Sequence, residues 1–270
     1  MAKRKLRVAV VGDFMKDIYH IGEAVGLSAE VPIPVVKVRK TLCFPGGAGN
    51  VARNLGELGV ETLWFGGGGE PVKHRLMVGD HQIARWDEND VCTPVMGLER
   101  LREVDAIVVA DYGKGSIDKY TIEAIRKTQG IPVFVDTKRD PSVWSDIATA
   151  IFPNEKEYDD WCKEYRAFDG VVVKKRGALG LELCASGFGE FTTTGEFSIS
   201  PSVARKVVCV NGAGDTVMAA FVYKWLMDAP KQDCQVLLGW ANTAAAIAVE
   251  HPMTYAPTLE EIEARYYRNE

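Results

Sequence analysis

Histidine and cysteine are scarce in this chain of 270 residues, numbering four and six. Cys43, Cys92, Cys162, Cys184, Cys209 and Cys234 form no CxxC pair, and no histidine stands close enough to one to make a zinc spacing. Scattered thiols point to a reduced, cytoplasmic setting and exclude both a disulfide framework and a His/Cys metal site. His20, His74, His81 and His251 are isolated and read as structural or solvent-facing. No apolar run reaches about 18 residues, so no membrane-spanning helix is expected. The opening MAKRKLRVAVVGDF is basic, but Asp13 interrupts its apolar stretch and no small-residue cleavage site follows, so no signal peptide is expected. Positive charge is not in surplus either: 32 Lys+Arg stand against 37 Asp+Glu, a net charge of −5, which argues against a nucleic-acid surface. Long linkers, internal repeats and low-complexity tracts are missing as well; residues 66–69 are only a glycine turn.

What is present is ordinary globular composition, 47% apolar and 26% charged, enough for a single large domain over residues 1–270. Short β-branched runs at 6–12, 61–65, 106–110, 132–136, 150–152 and 170–174 alternate with amphipathic stretches at 48–58, 118–128, 155–165, 213–227, 234–250 and 259–267. That alternation predicts a mostly parallel sheet covered by helices, and the continuous apolar character of the runs suits strands buried on both faces. Within 213–227, Met218, Phe221 and Trp225 recur at i, i+3 and i+7, so one face packs on the sheet. Strands at 181–185, 190–194 and 207–210 are expected at one antiparallel edge. Residues 15–44, with Pro32 and Pro34, and 75–88 break the alternation; flap segments at 14–44 and 75–90 are expected to project from the main sheet.

Four clusters carry candidate chemistry. In VVCVNGAGDTV, small residues precede a long helix. Gly212, Ala213 and Gly214 let backbone N–H groups approach a ligand, and the helix start favours phosphate charge. Asp215 is placed to accept a proton from an attacking hydroxyl, or simply to cap the helix. In FPGGAGNVA, residues 47–52 formally match a dinucleotide fingerprint, but Pro45 and the lack of a suitable acidic residue downstream make the context poor. Close backbone approach to a polyhydroxy substrate fits Gly46, Gly47 and Asn50 better, with a tight turn into a helix as the structural alternative. Asn154 and Glu157 offer two oxygen ligands suited to hydrated Mg²⁺, or equally a capping box. Asp13 and Asp17 follow the first strand, where open α/β sheets bind ligands; both are also ordinary loop caps.

Taken together and in this order, the clusters resemble the PfkB (ribokinase-like) family of carbohydrate kinases over nearly the whole chain. Gly46-Gly-Ala-Gly-Asn50 resembles its first signature and Gly212-Ala-Gly-Asp215 its second. VGDFMKD from Val11, AEVPIPVVKV from Ala29, DYGKG from Asp111 and VDTK from Val135 resemble the heptose 7-phosphate kinase branch. The resemblance implies a three-layer α/β sandwich with a β-flap lid, and ATP with Mg²⁺ as cofactors. It also implies a small-molecule sugar as substrate; a β-flap with exposed edges is in addition a natural surface for pairing of two copies. Asp215 would be the general base, with the amides of Gly212, Ala213 and Gly214 as anion hole. Asp13, Asp17, Gly46, Gly47 and Asn50 would hold the sugar, and Asn154 and Glu157 the metal. Lys175 and Gly177 would lie near the ATP phosphates and Asn242 near the base, while Lys114, Lys138 and Arg85 are candidates for a phosphate already on the sugar.

Two departures stand out. After Phe65 the family carries some tens of residues that are missing here, so the sugar side is expected to be more open or to be completed by a partner chain. A catalytically impaired sugar- or nucleotide-binding protein is therefore the alternative to an active kinase. Cys209 and Asn211 also stand where relatives have the Asp and Thr that commonly support a monovalent cation. A thiol is a poor ligand for the hard K⁺ ion, so ATP turnover is expected to run at equal rates with and without K⁺; a large stimulation by K⁺ would refute this.

Overall fold

The computed structural model describes residues 4–185, 196–229 and 233–268. Its main sheet has eight strands. β1 (Arg7–Gly12) lies between β4 (Glu61–Gly66) and β7 (Ala106–Asp111), and the sheet continues through β8 (Val133–Thr137), β9 (Ala150–Ile151) and β10 (Val171–Lys175), all parallel. β11 (Leu181–Ala185) and β12 (Glu196–Ser200) close one edge antiparallel. The remaining four strands, β2 (Phe14–Leu27), β3 (Pro34–Gly47), β5 (Val72–Val78) and β6 (His81–Glu88), form a separate flap in the order β3-β2-β5-β6.

Alternation along the buried strands sorts their side chains into two cores. Val8, Val10, Ala106, Val108 and Phe134 face α1 (Ala48–Glu57), α5 (Ala213–Asp228) and α6 (Cys234–Val249). Ala9, Val11, Ile107, Val109, Val133 and Val135 face the other way, against Ile125 of α2 (Lys119–Arg126) and Tyr165 of α4 (Cys162–Ala167). Helices thus cover both faces of the sheet. α7 (Leu259–Arg268) adds Ile262 to the first core.

Chain direction explains where polar residues collect. The strand order reverses at β1, whose neighbours β4 and β7 lie on opposite sides, and this opens a crevice at the carboxyl ends of the parallel strands. Asp13 follows β1 there, Tyr112 follows β7, Asp136 is the penultimate residue of β8, Asn154 follows β9 and Lys175 ends β10.

Several expectations need correction. Residues 207–210 form no strand: the Val208 and Cys209 amides both donate to the Val249 carbonyl at the end of α6, and no ladder partner is available. Val207 and Val210 are instead 63% and 66% exposed. The helix expected at 155–165 breaks at Trp161 (φ −124°, ψ 35°) into α3 (Glu155–Asp160) and α4, which sets Trp161 and Tyr165 against the second core. β12 was not anticipated, and the strand expected at 190–194 lies outside the described residues. Pro34 opens β3 at an outer edge of the flap, where its missing N–H leaves no ladder bond unmade.

Phe221 is fully buried and meets Phe134 and Phe152 edge-on, at ring separations of 6.4 and 5.2 Å. Phe221→Ala is expected to destabilise the fold by about 3–5 kcal/mol, read as a lower urea midpoint with an unchanged slope.

Candidate active site

A cleft of about 500 Å³ runs between the flap and the carboxyl edge of the sheet. Its lining includes Asp17, Lys73 and Arg75 on the flap side, Gly212, Ala213, Gly214 and Asp215 at the start of α5, and Asn242 and Val249 at the far end.

Asp215 is 7% exposed in the first turn of α5. Asn50 Nδ2 on α1 donates to its Oδ2 at 2.7 Å, and the Tyr112 hydroxyl donates to its Oδ1. Burial pushes the carboxyl up to about 6, against the pull of these two donors and of Lys175. Unlike α2, α3 and α6, which are capped by Asp118, Asn154 and Asp233, α5 has no side-chain cap. Gly212 precedes it in the left-handed region, with φ at 78°, and a Cβ there would stand 2.5 Å from Asn50 Nδ2. Only glycine lets the chain turn there and still admit the Asn50–Asp215 bond. A second polar link, from Thr216 Oγ1 to Asn54 Oδ1 at 3.0 Å, joins the same two helices.

Opposite the helix start runs a row of alternating charge. Lys175 Nζ bonds Asp136 Oδ2, Lys138 Nζ lies 3.6 Å from Asp136 Oδ1, and Lys138 also pairs closely with Glu157. Asp136 is buried, and though desolvation opposes it, the two lysines hold its carboxyl below the usual range. Asn154 and Glu157 form a complete capping box: Asn154 Oδ1 accepts from the Glu157 amide, and Glu157 accepts from the Asn154 amide, each at 2.9 Å. Among the described residues no group of three or more His, Cys, Asp or Glu side chains is placed to hold a metal alone. A hydrated Mg²⁺ shared with nucleotide phosphates needs fewer protein oxygens. Asp136 Oδ1, buried without a hydrogen-bond partner, fits that demand, with Glu157 beside it across Lys138.

The remaining expected residues divide between cleft and scaffold. Lys138, Lys175, Gly177, Asn242, Asn154, Asp17 and Gly47 all line the cleft. Asn242 also ties down the chain after β12, donating to Ser200 Oγ at 3.0 Å and to the Pro201 carbonyl. Gly46 lies against Asp17, and Gly47, with φ at 55°, packs so tightly that a Cβ would lie 2.4 Å from the Asp13 carbonyl. Three of the expected sugar contacts are placed otherwise. Asp13 is fully buried and its carboxylate accepts from the amides of Tyr112, Lys114 and Ser116 at 2.8, 3.1 and 3.0 Å, which leaves it shaping that loop. Lys114 pairs with Asp90, and Arg85, on β6, pairs with Asp87. Asn211 turns its amide to the flap, donating to the Tyr19 hydroxyl at 3.2 Å.

Sequence reading assigned no role to Tyr112, Lys73, Arg75 or Asp136. Lys73 and Arg75 alternate on β5, and that spacing was the available signal. Arg75 makes a buried 2.8 Å ion pair with Asp17. Lys73 has no carboxylate within ion-pair distance among the described residues; its Nζ sits 5.2 Å from the Tyr112 ring centre, and burial lowers its pKa.

The Asp215 carboxyl binds its proton more tightly in the fold, at about 6, than unfolded, at about 3.9. Its ionisation therefore detracts from stability at and above neutral pH, and the penalty disappears as pH falls below about 4. Asp215→Asn is expected to melt no lower than wild type at pH 8, with any advantage shrinking towards pH 4; a large loss at pH 8 in thermal melts would contradict this.

A family model described as pfkB family carbohydrate kinase matches residues 119–261. The bifunctional protein HldE of Shewanella sp. (strain ANA-3) is 31% identical, over 92% of this chain and 61% of its own length. The chain thus spans less than two thirds of the curated relatives it matches. Among solved structures, the ribokinase of Arabidopsis thaliana complexed with ribose and ATP aligns with a TM-score of 0.73 at 18% identity, covering 97% of this chain and 99% of its own. Phosphofructokinase-2 of Escherichia coli, in complex with substrates and products, gives 0.73 at 15% identity, covering 98% and 99%. At these identities the likeness establishes the fold, a ribokinase-like α/β sandwich with a flap. No helix among the described residues is long and apolar enough to cross a membrane.

Proposed function

Because the chain belongs to the pfkB family of carbohydrate kinases, we propose that it transfers the terminal phosphoryl group of ATP to a hydroxyl of a sugar or phosphosugar, with a heptose 7-phosphate-like acceptor favoured. The observation that carries this reading is Asp215, desolvated at an uncapped helix start on one wall of the cleft and faced by the row Lys175, Asp136, Lys138 and Glu157.

Asp215 accepts the acceptor's proton as that O–H bond breaks. The freed electron pair of the oxygen forms the new P–O bond, and the bond to the leaving ADP breaks with its electrons going to ADP. A carboxyl titrating near 6 is mostly ionised at neutral pH, yet more basic than an exposed aspartate. Backbone N–H groups of Gly212, Ala213 and Gly214 meet charge developing on the phosphoryl oxygens, and Lys175 supports them from β10. Bound Mg²⁺ would contribute charge neutralisation on the phosphates, held through Asp136 and, at one remove, Glu157. Val217, Ala245, Ala246 and Val249 supply an apolar wall for the nucleotide.

On the flap side Asp17 and the backbone at Gly47 offer hydrogen-bonding groups to sugar hydroxyls. A phosphate already on the sugar is received by Lys73, which has no carboxylate within ion-pair distance among the described residues. This replaces Arg85 and Lys114, whose charges are matched by Asp87 and Asp90. Pairing of two copies belongs to the same reading, since β3 and β6 are the outer strands of the flap.

ADP release measured against a panel of sugars and sugar phosphates, heptose 7-phosphate included, tests the proposal. Wild type should turn over at least one acceptor, and Asp215→Asn should lose activity by about 10²-fold or more. Nucleotide binding without turnover of any acceptor would favour the impaired binding protein, and a variant that kept most of its activity would remove Asp215 as base.

A further inference from the structure

We infer that Tyr112 is a positioning residue: its hydroxyl holds the Asp215 carboxylate in the orientation that presents a lone pair to the acceptor, and its ring ties that orientation to flap strand β5 through Lys73. The inference rests on the phosphoryl-transfer reading above.

Tyr112 is constrained at each of its parts. Its amide donates to Asp13 Oδ2 at 2.8 Å, and Asp13 is fully buried, so the backbone is pinned to the end of β1. Its ring lies under two ammonium groups, Lys73 Nζ at 5.2 Å and Lys138 Nζ at 5.6 Å from the centroid, one from the flap and one from the strand β8 side. Its hydroxyl ends on Asp215 Oδ1. Asn50 secures the other oxygen from α1, so the two donors fix the plane of the carboxylate. Tyr112 and Asp215 both line the cleft, so the carboxylate they share borders the ligand space. An oxygen that accepts one hydrogen bond keeps a second lone pair, so the phenol and an acceptor hydroxyl can share Oδ1.

Charge supports this geometry. Burial and the neighbouring Asp215 raise the phenol well above its ordinary range, so Tyr112 donates and does not ionise. For Asp215 the phenol is the first of the influences that oppose desolvation. The other charged groups facing this pair are Asp136, Lys175, Lys138, Lys73 and Asp17, from β8, β10, the chain after β8, β5 and β2. None of them donates a hydrogen bond to Asp215, so none replaces the phenol if it is removed.

Tyr112→Phe keeps the ring and deletes the donor. Carbon-13 NMR titration of labelled aspartate in the substrate-free protein, assigned with Asp215→Asn, should move the Asp215 midpoint up from about 6 by about one unit. The acid limb of the kcat profile should move with it. Turnover near pH 6 should then fall several-fold and recover to within about threefold by pH 9, while KM for ATP stays within about twofold. An unmoved midpoint, or a moved midpoint with an unmoved pH–rate profile, overturns the assignment. Faster turnover at every pH would overturn it too, by making the hydroxyl an obstruction. A wild type with no turnover on any acceptor counts against the kinase reading instead, and the NMR midpoint then still decides whether Tyr112 sets the carboxylate.

Discussion

A carboxylate withdrawn from water is the constraint around which the centre of this molecule is arranged. Left alone, buried Asp215 would take up a proton; two hydrogen-bond donors and a nearby ammonium keep it ionisable near neutrality. Each donor has its own supports. Asn50 reaches Asp215 only because α1 packs on α5 and because Gly212 has no side chain to block the path. Tyr112 reaches it because Asp13 gathers three amides of the loop after β7. The apparent redundancy of polar residues near the ends of β1 and β7 is thus a division of labour, with buried Asp13 organising a loop and Asp215 facing the cleft.

The flap enters the same arrangement from the other side. Asp17 and Arg75 neutralise each other in a mostly buried pair at the cleft wall, whose disruption leaves one bare charge behind. Tyr19, fully buried, carries Arg75 over its ring at 5.6 Å and accepts from Asn211 through its hydroxyl. The flap strands therefore dock onto the chain just ahead of α5 through polar and cation–π contacts, with a short connection of residues 67–71 between β4 and β5.

Much of this architecture was legible from the chain. Strands buried on both faces read as unbroken apolar runs, and the helix behind Asp215 announced itself through its glycines and its apolar run, although residues 215–223 are buried all round and not on one face only. The antiparallel edge was less legible, because residues 207–210 look β-branched yet find only one carbonyl to bond. Candidate residues were readable where a local motif places them, as at Asn154, Glu157 and Asp215, which the fold brings to the cleft or its rim. They were not where contact depends on distant packing: Tyr112 and Asp215 are 103 residues apart, and nothing in either segment names the other. Arg85 and Lys114 were hard to weigh for the opposite reason, since bare positive charge in sequence says nothing about whether Asp87 or Asp90 already answers it.

The row of alternating charge along the cleft has a further consequence. Lys175, Lys138 and Arg75 each already hold a carboxylate, so the wall presents little long-range field. A polyanion settling there exchanges one set of ion contacts for another, and dissolved electrolyte weakens both sets together. Retention of such a guest should consequently tolerate ionic strength better than capture by a bare basic groove, and discrimination falls to shape and hydrogen-bond geometry over attraction at a distance.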